Sequence, residues 1–174
     1  MAAWPQNGVI PCAADGTILY QRPTYTVEAA MAGATNKILI GLLNPGGSGK
    51  IIRVWATWTL VPASSGTTVI IPIEHRKIST LSAGTTVTPQ TFDSADPASA
   101  ATVMADGPTV TDVALWYTRI YQINSAQYAQ GYFDPSSIAP AMKAITLREN
   151  EGLMLKQIAN NGSTFRAGMT YTEE

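Results

Sequence analysis

Apolar and polar residues alternate with a period of two over several short stretches of the chain, which is the pattern of β-strands. In the clearest stretch, Lys50–Val61, every even position from Ile52 to Leu60 is apolar, whereas the odd positions mix polar and apolar residues. Regular alternation places Trp55 and Trp58 on opposite faces of this strand. Six further β-rich runs are predicted to be strands, at Lys37–Leu43, Thr67–Ser79, Val110–Ile123, Met142–Arg148, Leu153–Ala159 and Thr164–Thr172.

Turns rich in Gly, Pro and Asn separate the predicted strands, and Asn161-Gly162 between two β-rich runs indicates a hairpin. Two longer connections lie at 82–109 and Asn124–Ala141, and one helical turn is expected near Asp96–Ala101. The sequence contains no stretch with the period of an amphipathic helix and no internal repeat. It therefore predicts an all-β, antiparallel β-sandwich, and the two long connections favour a jelly-roll-like arrangement over a simple meander.

The N-terminal part of the sequence is irregular, because its prolines prevent a helix and interrupt any strand ladder. We predict an extended N-terminal arm over residues 1–34, with short strands at Thr17–Tyr20 and Thr24–Ala30, and a sandwich domain over residues 35–174. Such an arm cannot bury enough apolar surface by itself to offset its ordering entropy. Its apolar residues are expected to pack on another body, which could be its own sandwich, a sister subunit or a larger assembly.

Charge is scarce in the sequence: 11 basic and 12 acidic residues among 174 give a charged fraction of 13% and a net charge of −1. A chain that is nearly neutral has no excess of positive charge to attract phosphate groups, so no nucleic-acid partner is expected. The single cysteine, Cys12, excludes an intrachain disulfide. The N-terminus lacks the features of a signal peptide, and no apolar run has the length of a membrane helix. We expect a soluble protein, made in a reducing cytoplasm, whose surfaces pack against a partner.

The turn Asn44–Lys50, with the sequence Asn-Pro-Gly-Gly-Ser-Gly-Lys, superficially matches a phosphate-binding loop. That motif requires Gly where Asn44 stands and a magnesium-binding Ser or Thr where Ile51 stands, and it must open a helix. Ile51–Leu60 instead alternates as a strand. The turn is therefore interpreted as a connection between strands, and no cofactor is predicted.

No set of residues specifies a catalytic or metal site. His75 is the only histidine, so a typical zinc site cannot be built, and its charged neighbours indicate a strand end that faces solvent or a partner subunit. Glu149 and Glu151 flank a turn, and Glu173 and Glu174 are interpreted as an ordinary acidic tail. The acidic residues of the long connection are too irregular for an EF-hand loop: Asp93, Asp96 and Asp106. We predict no catalytic, cofactor-binding or metal-binding residues, and a small hydrolase is the remaining enzymatic alternative.

Large apolar residues without a place in the predicted core are candidates for an interface. The arm supplies Trp4, Ile10 and Tyr20, and Trp4 is the expected anchor because buried aromatic residues carry much interface energy. Trp55 is the candidate on the sandwich, since its parity differs from that of the apolar even face.

Three motifs, in order along the sequence, resemble those of small β-rich proteins from the structural regions of tailed phages and prophages. The motifs are Leu42–Val54, Glu74–Ser79 followed by Gly84–Pro89, and Leu147–Gln157. The first is similar to an opening written NP-x-GSGK-hydrophobic-hydrophobic-R-V. The last is typically a LREGEGL turn, from which Asn150 departs at one position. The resemblance spans residues 36–172 and leaves the arm unmatched.

This resemblance implies a phage capsid decoration (cement) protein, which offers no catalytic residue. Such a protein would be made in the host cytoplasm, bind the major capsid protein on the outer head of the virion, and stabilise contacts between capsomers as a homotrimer. The alternative, from a different class, is a phage tail or fibre module that recognises a host-surface glycan through exposed Trp and Tyr residues. Neither function requires a nucleic acid or a membrane as a partner.

Overall fold

The computed structural model describes residues 22–61, 69–123, 129–134, 144–159 and 164–174. Within these ranges the chain forms twelve strands and no helix, and hence no helix long and apolar enough to cross a membrane. The strands are β1 (Thr24–Ala32), β2 (Ile38–Leu43), β3 (Ile52–Val61), β4 (Val69–Ser82), β5 (Thr85–Thr86), β6 (Gln90–Thr91), β7 (Thr102–Ala105), β8 (Thr109–Ile123), β9 (Ala129–Phe133), β10 (Ile145–Leu147), β11 (Gly152–Gln157) and β12 (Thr164–Glu173).

Two antiparallel sheets pack face to face and confirm the predicted sandwich. The first has the order β10-β3-β12-β1-β6, with β9 beside β3 on the same edge as β10, and the second has the order β5-β7-β2-β11-β4-β8. The chain changes sheet between β1 and β2 and again between β11 and β12. The pair β1–β12 therefore encloses the pair β2–β11, and this nested pairing is the connectivity of a jelly roll.

β1 lies within the first sheet, between β12 and β6. The sandwich therefore begins before residue 35, because residues 24–32 form one of its strands. The strand expected at Thr24–Ala30 is confirmed and is two residues longer at its C-terminal end. Residues 1–21, including the strand expected at Thr17–Tyr20, lie outside the described residues, so the arm stays a prediction there.

The main core fills the space between the two sheets. Its largest side chains include Tyr25, Phe165 and Tyr171, and the rings of the two tyrosines stack with a centroid distance of 5.3 Å. Burial of an aliphatic or aromatic side chain contributes about 1.5–3 kcal/mol each, so this core dominates the stability of the fold.

A second, smaller cluster of Ile78, Leu81 and Met154 lies on the outer side of the second sheet. Both neighbours of Met154 in β11 belong to the main core, so Met154 itself faces the opposite way. Close packing here requires glycine in β11. A Cβ atom at Gly152 would lie 2.5 Å from the carbonyl oxygen of Leu42 and 2.7 Å from Cγ1 of Ile78.

β3 is not a regular strand, and the prediction of an apolar even face is wrong beyond Val54. In the pairing with β12, Thr170 lies opposite Ala56 and Tyr171 lies opposite Val54, so Trp55 is the extra residue of a β-bulge. The bulge reverses the parity of the strand. The buried inward side chains are Ile52 and Val54 before the bulge, and Thr57, Thr59 and Val61 after it.

Three expectations about the connections are also wrong. The segment Asp96–Ala101 contains no helical turn. The two long connections contain the short strands β5, β6, β7 and β9, which are too brief to give a periodic signal. β11 and β12 lie in different sheets, so the strands on either side of Asn161-Gly162 do not form a hairpin; that turn itself lies outside the described residues.

Candidate functional site

Two of the three sequence motifs meet at one end of the sandwich, where the chain crosses between the sheets. The backbone N–H of Asn150 donates to the carbonyl of Asn44 (2.8 Å), and the N–H of Asn44 donates to the carbonyl of Glu151 (3.0 Å). The side-chain amide of Asn44 is buried and donates to the carbonyls of Lys50 (2.8 Å) and Leu147 (3.2 Å). The β2–β3 and β10–β11 turns therefore hold each other in place.

The turn that superficially matches a phosphate-binding loop is a connection between strands, as predicted. Lys50 leads into β3 and not into a helix. The N–H of Gly49 donates to the carboxylate of Glu149 (2.7 Å), and the hydroxyl of Ser48 donates to the side-chain oxygen of Asn44 (2.7 Å). A carboxylate on this N–H occupies a position that an anion would need and would repel that anion.

Glu173 is not part of a solvated tail, and that prediction is wrong. Its carboxylate is buried and accepts hydrogen bonds from the Ser99 hydroxyl (2.5 Å) and from the N–H groups of Ala100 (3.0 Å) and Ala101 (3.3 Å). These bonds fasten the segment before β7 to the end of β12. The last residue, Glu174, forms ion pairs with Arg22 and Arg53.

His75 lies inside the sandwich with 3% exposure, so the expectation that it faces solvent is wrong. Its Nε2 forms a hydrogen bond of 2.7 Å with the Thr57 hydroxyl of the opposite sheet. The rings of Tyr117 and Phe133 pack on it, with centroid distances of 5.5 and 5.1 Å. Burial, with a smaller effect of the Arg119 charge, lowers the pKa of His75 to about 4. The imidazole is therefore neutral at pH 7.

The surroundings of His75 do not form a catalytic triad from the described residues. In a triad the Nδ1 of histidine donates to a carboxylate, whereas Nδ1 of His75 has no hydrogen-bond partner in the part of the chain that the structure describes. A metal site is likewise absent from the described residues, because no three side chains of His, Cys, Asp or Glu lie close enough together to bind one metal ion. The acidic residues of the long connection bind other groups, since Asp96 accepts from the N–H of Thr24 (3.3 Å) and Asp106 pairs with Lys37.

The long antiparallel pair of β4 and β8, whose strands are separated in the chain by residues 83–108, carries five of the nine large exposed apolar side chains of the described residues. Four of them are between 50% and 67% exposed, and we call these four the hairpin ridge: Ile70, Val113, Leu115 and Ile120. Pro72 lies directly opposite Ile120 and continues the apolar surface. An exposed apolar set of this kind is typical of a contact site.

β8 forms an edge of the second sheet, and its pairing with β4 is irregular. Val113 and Trp116 are extra residues in this pairing, which makes them β-bulges. Bulges on an edge strand hinder the addition of another strand to that edge. The hairpin ridge is therefore suited to contacts through side chains and not to extension of the sheet.

A second exposed surface is aromatic and lies on the outer face of the first sheet. Trp55 is 46% exposed and Tyr132 is 58% exposed. Trp58 lies opposite Tyr132 and covers Gly168, where a Cβ atom would come within 2.3 Å of the indole. The indole N–H of Trp55 donates to the Thr172 hydroxyl (3.0 Å), which fixes the ring. We call Trp55, Trp58 and Tyr132 the aromatic platform.

Comparisons with known proteins gave no match. Neither the protein-family models, nor the curated proteins, nor the solved structures contain a significant match to this chain. The similarity to phage decoration proteins therefore stays a prediction that rests on the three motifs.

The structure describes one of the four predicted interface residues. Trp55 is exposed on the outer face, whereas Trp4, Ile10 and Tyr20 lie outside the described residues. The ridge could not be located from the alternation alone, because the bulges at Val113 and Trp116 change which side chains of β8 face solvent between Asp112 and Tyr117. A strand with large apolar residues at both parities, as in Val113–Trp116, is the signal that could have indicated it.

Proposed function

We propose that this protein is a structural subunit of a virion, which binds the major capsid protein on the outer surface of a phage head and stabilises contacts between capsomers. The observation that carries the proposal is the hairpin ridge, since a chain with only 13% charged residues exposes aliphatic side chains on the long antiparallel pair of β4 and β8. The choice of a phage head as the partner rests on the three motifs that resemble those of phage decoration proteins.

This function requires a stable shape and a binding surface, and no catalytic residue. The ridge lies on β4 and β8, which pair with each other along their length, and β4 also pairs with β11, so the backbone that carries the ridge is held in place. In a homotrimer, weak contacts of the three copies with the shell would add as avidity.

A count of copies by mass spectrometry on virions that carry the protein tests the proposal. Hundreds of copies per virion are expected for a decoration protein of the shell. Tens of copies or fewer would assign the protein to the tail and contradict the proposal.

Substitutions in the ridge test the surface itself. The double variant Leu115→Ser/Ile120→Ser should bind empty capsids at least tenfold more weakly, a loss of about 1.4 kcal/mol. Phe92→Ser is the matched control, because Phe92 is as exposed as Ile120 but lies outside the ridge. Equal binding by both variants would argue against a role of the ridge in capsid binding.

The aromatic platform favours a second function, that of a tail or fibre module that binds a host-surface glycan. Exposed indole and phenol rings offer flat apolar faces with polar edges, on which a sugar ring can stack. In that case Trp55→Ala/Tyr132→Ala should abolish binding on a glycan array, and the ridge double variant should bind as the unmodified protein does.

A further inference from the structure

We propose that the hairpin ridge binds the N-terminal segment, residues 1–21, of a neighbouring copy of this chain. This inference rests on the proposed function, in which several copies assemble, and it names the contact between them. The ridge would then hold the copies together. Capsid binding would depend on the ridge indirectly, because it requires the assembled copies.

The composition of the segment matches that of the ridge. Asp15 is the only charged side chain among residues 1–21. The large apolar side chains of the segment are Trp4, Val9, Ile10, Ile18, Leu19 and Tyr20. The four ridge residues are all aliphatic, so the two surfaces can meet without burying an unpaired charge.

The point at which the segment leaves the sandwich lies far from the ridge of the same copy. Arg22 pairs with Glu174 and leads directly into β1. From β1 the first sheet continues through β12 and β3 to β9, and β9 faces β8 of the other sheet, where Arg119 Nη1 donates to the Tyr132 carbonyl (2.7 Å). Three strand spacings of about 4.8 Å and one sheet separation of about 10 Å therefore separate β1 from the ridge strand.

The reach of the chain limits which residues of the segment can contact the ridge of their own copy. An extended chain covers at most about 3.6 Å per residue. Ile18 and Tyr20 precede Arg22 by four and two residues, so they reach no more than about 14 Å and about 7 Å, too little to go round to the outer face of their own β8. A segment of 21 residues reaches at most about 76 Å, so its distal residues could reach the ridge of their own copy or that of another copy. Ile18, Leu19 and Tyr20 can therefore contact a ridge only if a neighbouring copy supplies it.

The single cysteine of the sequence, Cys12, lies in the segment and allows a test on the full chain. A benzophenone maleimide is attached to Cys12 in a mixture of ¹⁴N- and ¹⁵N-labelled protein. After irradiation, the crosslinked peptides are identified by mass spectrometry. We expect crosslinks from Cys12 to the peptides that contain 69–74 and 109–123, with mixed isotope pairs that identify two different copies.

Two variants provide the controls. Leu115→Ser/Ile120→Ser should lower the yield of these crosslinks at least tenfold, and Phe92→Ser should leave it unchanged. Ile70→Asn, on β4, serves as an independent ridge variant if circular dichroism shows that the double variant does not fold.

Three results would overturn the inference: crosslinks only within one copy, crosslinks to the aromatic platform or another surface, or no crosslink between copies. The copy number on the virion is a separate measurement. Hundreds of copies without ridge crosslinks would overturn this inference alone, whereas ridge crosslinks in a protein present in tens of copies or fewer would overturn only the proposed function.

Discussion

His75 is the only histidine of the sequence, and its pKa of about 4 lies below the ordinary value of 6.5. The folded state therefore disfavours the protonated imidazole, which the unfolded state accepts. The stability that His75 contributes is fully present above pH 6.5 and is lost as the pH falls towards 4. Because each pH unit corresponds to about 1.4 kcal/mol, the loss between pH 7 and pH 4.5 is about 2.5 kcal/mol.

Urea unfolding at pH 7 and pH 4.5 checks this expectation. The unmodified protein should lose about 2.5 kcal/mol more of its unfolding free energy than His75→Gln, which cannot titrate. Carboxylates titrate in both proteins, so their effect cancels in the difference. Equal losses in the two proteins would show that His75 can be protonated in the fold without cost.

Asn150 has a backbone φ of +62°, in the left-handed region that disfavours most side chains. The phage motif that the sequence resembles has Gly at this position, and both Gly and Asn adopt this conformation more readily than other residues. Asn150→Ala should lower the unfolding free energy by about 1 kcal/mol, and Asn150→Gly should change it by less than about 0.5 kcal/mol. Chemical denaturation of the three proteins measures both values. An alanine variant as stable as the glycine variant would contradict the argument.

At the scale of elements, the second cluster depends on glycine in β11. Gly152→Ala should lower the unfolding free energy by about 1–3 kcal/mol, because the added Cβ meets the Leu42 carbonyl oxygen and cannot be accommodated by rotation of a side chain. Gly41→Ala is the matched control. Its closest contact is the end of the Leu81 side chain at 2.9 Å, which can move, so the loss should be smaller. Thermal unfolding ranks the two variants, and the reverse order would refute this account.

Strands that are half-buried over their whole length could be predicted from the sequence. β12 is an example, since Phe165, Ala167, Met169 and Tyr171 alternate without interruption and all face the core. Features set by a single extra residue could not be predicted. The bulge at Trp55 reverses the parity of β3, and the bulges at Val113 and Trp116 change the parity of β8 between Asp112 and Tyr117, yet none of them alters the local composition.

The burial of residues that bind partners distant in the chain could not be predicted from the sequence either. Glu173 is buried because N–H groups more than seventy positions away in the chain converge on its carboxylate. His75 is buried because Thr57, on the opposite sheet, supplies a hydroxyl. Their sequence neighbours, an acidic residue and a basic pair respectively, indicated solvent. Local charge predicts exposure only where the fold brings no partner to the group.

At the scale of the whole molecule, we expect the protein to associate. Sedimentation at micromolar concentration should give the mass of three chains of 18.5 kDa, as the resemblance to trimeric decoration proteins implies. Leu115→Ser/Ile120→Ser should sediment as a monomer if the ridge holds the copies together, and Phe92→Ser should not change the mass. A monomer that also fails to bind capsids would contradict the expectation.

The place of β12 in the first sheet has a consequence for biosynthesis. β12 lies between β1 and β3 and joins them, yet Ala32 at the end of β1 and Thr164 at the start of β12 are 132 residues apart. At a translation rate of about 20 residues per second, β1 leaves the ribosome roughly 7 s before the strand that pairs with it. During that interval β1 and β3 lack the strand that joins them, so the first sheet is incomplete. The nascent chain then exposes apolar strands to which chaperones can bind. Synonymous codons that slow translation between β3 and β12 should therefore lower the yield of folded protein.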